Sequence, residues 1–151
     1  MSREIMDETA ITKYILETLD GVQVATDSGN SFFFYDTENK IPFVTIVTNN
    51  HYDDVSDLDR PGVFRLNIGV SKQTYRSMFA TESPDGAEIR HTDGHDFTAL
   101  DKLMPHPIYG RMYWVCVLNP SEETLRSARR LLTEAYEIAM RKYQRRAAVS
   151  R

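Results

Sequence analysis

Charged groups crowd the start of Ser56–Val70, SDLDRPGVFRLNIGV, where two carboxylates (Asp57, Asp59) and Arg60 precede a Pro61-Gly62 turn and an alternating strand. Charge packed at the mouth of a strand marks a loop whose position matters for binding or catalysis. Within the strand, Arg65 and Asn67 fall on one face, because side chains alternate along extended backbone. Arg offers a planar fork for a carboxylate or phosphate, and Asn can orient an amide or carbonyl. Two assignments follow. The pair holds an anionic ligand, or Arg65 is buried and neutralised by Asp57 or Asp59.

A second set of groups suits proton transfer. General acid–base catalysis needs a side chain whose pKa lies near working pH, and His106, held between Pro105 and Pro107, supplies one without tuning. Asp101 or Asp96 can orient it, and Asp59 is a further carboxylate of the set. The competing assignment is structural: Asp59–Arg60 or Asp57–Arg65 ion pairs fix the loop, and His106 hydrogen-bonds a backbone carbonyl.

A third group, His91-Thr-Asp93-Gly-His95-Asp96, places four potential metal ligands within six residues. Zinc spacings are absent, however, and metal sites usually draw ligands from more than one element. Asp93-Gly94 is also an ordinary turn pair. The segment therefore reads as a solvated turn, and no metal or other cofactor is expected. Cys116 lies inside an apolar strand, as an inert packing residue. Trp114 and the run Phe32-Phe-Phe-Tyr35 read as core, with one side free to line an apolar pocket.

The chain that must position these groups has 151 residues, 41% of them hydrophobic, with seven Phe, eight Tyr, one Trp and six Met. That is enough for one domain (1–151) with a substantial core. A single cysteine allows no internal disulfide, and no apolar N-terminal run or membrane-length apolar stretch is present. A cytoplasmic protein with no membrane partner is expected. Residues 141–151 carry five basic groups and no acidic one, which leaves the rest of the chain at −9 against a total of −4. An acidic body repels phosphate backbones and disfavours nucleic acid as a partner. The basic end (144–151) reads as a frayed tail whose cations complement a helix dipole.

Periodicity orders the elements. Asp7 caps a helix running to Leu19, with Ile11, Tyr14, Ile15 and Leu19 on one face. Strands are expected at Val22–Thr26, Ser31–Tyr35, Phe43–Thr48, Val63–Val70 and Met112–Leu118, the first two joined by a tight turn at Ser28-Gly29-Asn30. Ser71 caps a short helix from Lys72 to Phe79, and the turn-rich segment Ala80–Asp96 reads as a mobile loop with the length of a lid. Asn119 caps the last helix, which has Pro120 at its first position and Glu122 in a capping-box pattern. Its apolar positions recur from Leu125 to Tyr143, and it should end near Arg145. Short connections favour an α+β fold, a mainly antiparallel five-stranded sheet with helices packed on one face. The other face, carrying Arg65 and Asn67, is expected to be open.

The blocks SFFFYD, PFVTIVT, SDLDRPGVFRLNIGV, HDFTALDKLMPHPIYG and WVCVLNPSEETL, followed by LLTEAYEIA, resemble a bacterial family catalogued as domain of unknown function 6194, over about Met6–Tyr143. The Trp-bearing strand, the Asn-Pro start and the AY pair of the last helix are also similar to the YjbR-like proteins. That similarity implies helices packed on an antiparallel sheet, and some YjbR-like proteins are labelled DNA-binding. Taken together, a small organic molecule, anionic in one version, is expected to bind the open face. Arg65, Asn67, Asp57, Arg60 and Trp114 would line the site. Any catalysis would be cofactor-independent, with His106 as acid or base and Asp101 and Asp59 as its carboxylates. A homodimer is compatible with this reading. The alternative is a YjbR-like interaction module that contacts nucleic acid or protein through the basic end of the last helix.

Overall fold

The first helix starts where Asp7 accepts a hydrogen bond from the Ala10 backbone N–H at 2.8 Å. This satisfies one of the donors a helix start leaves open. In the computed structural model, which describes residues 7–36, 41–79 and 94–149, helix α1 spans Glu8–Thr18 and buries Ile11 and Ile15. Strands β1 (Val22–Asp27) and β2 (Asn30–Tyr35) then form a hairpin in which Asp27 faces Asn30. Ser28 and Gly29, the two turn residues, both have positive φ (54° and 83°). A two-residue hairpin requires that geometry if its twist is to match the strands.

Strand β3 (Val44–Val47), β4 (Arg65–Gly69), helix α2 (Lys72–Met78, capped by Ser71), β5 (Met104–Pro105) and β6 (Trp114–Leu118) follow. The fold is α+β. The strands make one antiparallel sheet in the order β1-β2-β3-β4-β6-β5. The sheet has six strands, not the expected five. The addition, β5, is two residues long and carries no periodicity to read. It lies at the sheet edge, where Pro105 leaves no ladder hydrogen bond unmade.

The long helix α3 spans Glu122–Val149. Its cap is Ser121, not Asn119: the Ser121 hydroxyl accepts from the Thr124 N–H at 3.3 Å, and its carbonyl accepts from Leu125 N–H at 2.8 Å. Asn119 is engaged elsewhere, at φ 42°, where its side chain accepts from Phe64 N–H (2.9 Å) and donates to the Gly62 carbonyl (3.0 Å). The helix also continues past Arg145, because Ala147 and Ala148 favour it and no Gly or Pro stops it.

Alternation splits β4. Leu66 and Ile68 join Phe33, Val44, Ile46, Val115 and Val117 in the main core, under α1, α2 and α3. Arg65, Asn67 and Gly69 occupy the opposite face. That face is not open throughout. A second, smaller core of Val47, Leu58, Phe97, Met104, Cys116 and Leu118 covers part of it, with Leu58 and Phe97 supplied by loops. The segment expected as a lid lies largely outside the described residues.

Candidate functional site

Register sets the site out in rows. Strand pairing places Phe32 opposite Thr45, Thr45 opposite Asn67, Asn67 opposite Cys116 and Cys116 opposite Met104. The next row along the same face holds Gly69 opposite Trp114. His106 follows β5 and donates its backbone N–H to the Trp114 carbonyl at 2.9 Å, so it extends that row to the sheet edge. Gly69 lets the indole lie close across it: a Cβ at that position would stand 3.1 Å from the ring, so the indole would have to shift slightly to admit one.

Arg65 is 1% exposed and almost fully engaged. Its Nε–H donates to the Asn67 side-chain oxygen at 3.0 Å. Its terminal nitrogens meet both carboxylate oxygens of Asp53, at 3.1 and 2.7 Å, and the Ser56 hydroxyl at 2.9 Å. This is a forked ion pair, the strongest geometry a guanidinium can make. Asn67 passes the network on by donating to the Thr45 hydroxyl at 2.9 Å. Burial alone would raise the Asp53 carboxyl, but the hydrogen bond and charge of Arg65 outweigh it and hold the group below the usual carboxylate range.

His106 is 3% exposed. Its Nδ1 accepts from the backbone N–H groups of Ile108 (3.1 Å) and Tyr109 (3.0 Å). That fixes the tautomer: Nδ1 is the acceptor, so Nε2 carries the proton. Burial, reinforced by the nearby Arg65 charge and opposed by Asp53, pushes the imidazole down to about 3. At neutral pH it is an uncharged N–H donor.

The remaining groups named from sequence disperse. Asp57 is exposed and meets Arg60 only at 4.0 Å. Asp59 accepts from Asn50 N–H at 3.0 Å. Arg60 donates to the carbonyls of Asp57, Ser56 and Thr98 (2.8, 3.1 and 3.0 Å) and ties the loop to the neighbouring segment. Asp96 accepts from the backbone and hydroxyl of Thr98. Asp101 accepts from Ser121 N–H at 2.7 Å at the start of α3. Neither acid is bonded to His106. His91 and Asp93 lie outside the described residues. His95 sits between the rings of Phe79 and Phe97, and the described residues contain no cluster of three or more His, Cys, Asp and Glu able to hold a metal.

Arg65, Asn67, His106 and Trp114 therefore share one face, while Asp57, Asp59, Arg60 and Asp101 hold loops and a helix end. Sequence reasoning missed Asp53, Ser56 and Thr45. A buried strand arginine signals that a counter-ion exists, but Asp53, Asp54, Asp57 and Asp59 all stand within one short loop. Only the path of that loop selects Asp53.

One family's sequence pattern matches residues 6–148, a span that contains every group described above. The chain belongs to DUF6194, a family of unknown function. No curated protein and no solved structure matches it. Among the described residues of this DUF6194 chain, no helix is long and apolar enough to cross a membrane.

Cys116, the only cysteine, is fully buried beside this network, and its thiol donates to the Pro105 carbonyl at 3.6 Å. Burial pushes the thiol up to about 12. Thiolate is the reactive form, so the native protein should resist alkylation. Iodoacetamide at neutral pH should leave the folded protein unlabelled while the urea-unfolded chain reacts fully. Rapid labelling without denaturant would show that the β5–β6 edge opens.

Proposed function

We propose that this protein is a cytoplasmic binding protein for a small organic molecule bearing a carbonyl or carboxylate oxygen, held on the Arg65 face of the sheet. One observation carries the reading. His106 presents a fixed Nε2–H with no partner among the described residues, in the same row of the sheet face as the half-buried Trp114. That N–H is not among the fully buried polar atoms left without a partner, so solvent reaches it and a ligand oxygen would take that water's place. Ligand sites commonly pair apolar walls with a few fixed polar groups of this kind.

Arg65 acts indirectly. Asp53 already neutralises it, so it stiffens Asn67 and Thr45 rather than providing the main charge for a ligand. His106 serves as a donor. A general base needs a free lone pair and a pKa near 7, and this imidazole has its acceptor nitrogen occupied and its basicity suppressed. Binding without acid–base turnover at His106 is the reading these groups support. A single buried thiol suits a reducing compartment.

A panel of metabolites tested by thermal shift checks this. A ligand at about 100 times its dissociation constant adds roughly 2.7 kcal/mol, or about 5–10 °C for a chain of this size. The shift should disappear in His106→Phe, which retains the ring packing and removes the donor. A ligand-induced shift of the same size in that variant would refute the assignment.

One observation favours a second, YjbR-like reading, in which the protein is an interaction module. Helix α3 runs to Val149, which holds Arg141, Lys142, Arg145 and Arg146 on exposed helical backbone rather than a frayed tail. Silence across the small molecules, with a shift from short nucleic acids that fades steeply with salt and is lost in Arg141→Glu/Arg145→Glu, would replace the first reading with this one.

A further inference from the structure

The two edges of the sheet are finished differently. At one, β5 is two residues long and contains Pro105, so it offers little backbone to another chain. At the other, β1 runs for six residues, Val22–Asp27, in unbroken register with β2. Five of the six are exposed, and the apolar Val24 keeps 37% of its surface in water. Natural edges are protected by Lys, Pro, a bulge or shortness. VQVATD has none of these, and its only charge is Asp27 at one end.

Hairpin geometry fixes which backbone groups this edge presents. Asp36 donates its N–H to the Gly21 carbonyl at 2.6 Å. Phe33, opposite Val24, turns its carbonyl the other way, to the Phe43 N–H at 3.0 Å. Bonded and non-bonded pairs alternate along an antiparallel ladder. Gly21, Gln23, Ala25 and Asp27 therefore bond β2, while the N–H and C=O groups of Val22, Val24 and Thr26 point outward. Those three positions are symmetric about Val24. A two-fold axis at Val24 sets Val24 opposite Val24 of a second copy and Val22 opposite Thr26, with about six backbone hydrogen bonds between the copies. The side chains match too. On the side where Val22 packs against the main core, three β-branched residues meet their counterparts, and on the other side Gln23 meets Ala25. The two Asp27 carboxylates fall at opposite ends, about 20 Å apart, so no like charges face each other.

We infer that β1 is the interface of a two-fold dimer, in which two copies of this chain join edge to edge into one continuous antiparallel sheet. A six-residue strand is only about 20 Å long. The contact therefore stays below the roughly 1,200 Å² of total area that marks a standard interface, in the small and transient class. It uses neither Arg65, Asn67 nor His106 and is independent of the ligand reading above.

Sedimentation velocity from low micromolar to near-millimolar protein should move from monomer to dimer. Val24→Lys sets two cations side by side on the axis and should abolish the dimer. Met112→Lys, at a 66% exposed apolar position outside β1, should leave it intact. Two further variants, Gln23→Lys/Ala25→Lys and Gln23→Glu/Ala25→Glu, change only exposed side chains and keep the test open even if Val24→Lys does not fold. Each should be monomeric alone, because like charges meet across the axis. Mixed in equal amounts, they should associate at least about tenfold more tightly than either does with itself. A wild-type chain that stays monomeric throughout would overturn the inference. So would a dimer that survives Val24→Lys, or charge variants that fail to recognise each other.

Discussion

Replacing Asp53 with Ala should lower the stability of this protein by about 3–5 kcal/mol, the range measured when one partner of a buried ion pair is removed. For a domain holding roughly 5–15 kcal/mol in total, that is a large fraction. The unfolding midpoint should fall by roughly 10 °C. The size follows from where the charges sit. Arg65 is 1% exposed and cannot lose its proton, so without Asp53 its cation would remain in the interior, held only by the neutral Ser56 and Asn67 side chains. Asp57→Ala is the internal comparison: its carboxylate is exposed and reaches Arg60 only at 4.0 Å, so its loss should cost under about 1 kcal/mol. The double change Asp53→Ala/Arg65→Met removes both charges and should recover much of the loss, although Asn67 and Ser56 then lose a donor. Chemical denaturation of the four proteins measures this directly. If Asp53→Ala proves no worse than Asp57→Ala, the buried pair does not hold the loop.

Much of the scaffold was legible because its signals are local. Asp7 and Ser71 announce helix starts by chemistry within a single turn, and the alternation of Val63–Val70 correctly separates Leu66 and Ile68 from Arg65 and Asn67. The misses arise where a residue's role is set by partners far along the chain. Asn119 has the composition of a helix cap, yet it binds Phe64 and Gly62, fifty-five and fifty-seven residues away, and leaves the cap to Ser121. The site divides in the same way. Arg65 and Asn67 share a face by local geometry, and His106 reaches that face through strand pairing. The choice of Asp53 over Asp57 and Asp59 as counter-ion depends on the three-dimensional path of residues 49–62, which no spacing encodes. The covering of part of the sheet face was missed for a similar reason: Leu58 and Phe97 are isolated apolar residues in polar loops, and only the fold brings them together over Cys116.

The same burial that neutralises His106 should make the protein sensitive to mild acid. In the unfolded chain the imidazole titrates near 6.5, and in the native state it is pushed down to about 3. Between those values the unfolded chain binds the extra proton and the native state does not, so stability falls as pH falls. Stability from this group is complete above about pH 6.5, drops by about 2 kcal/mol on reaching pH 5, and by about 4 kcal/mol as pH approaches 3. His95 acts in the same direction, because burial and then Lys102 lower its pKa. Asp53 enters only later. Its native pKa lies below the ordinary 3.8, so it withdraws stability only in stronger acid than about pH 4. The window from 6.5 to 4 therefore belongs mainly to His106. His106→Asn isolates it, because the Asn side-chain oxygen can replace Nδ1 as acceptor for Ile108 and Tyr109 while removing the titration. Urea midpoints measured across that window should slope in the native protein and flatten in the variant. An equal slope in both would mean that protonated His106 is tolerated in the fold, and with it would go the argument that this imidazole is a permanent donor.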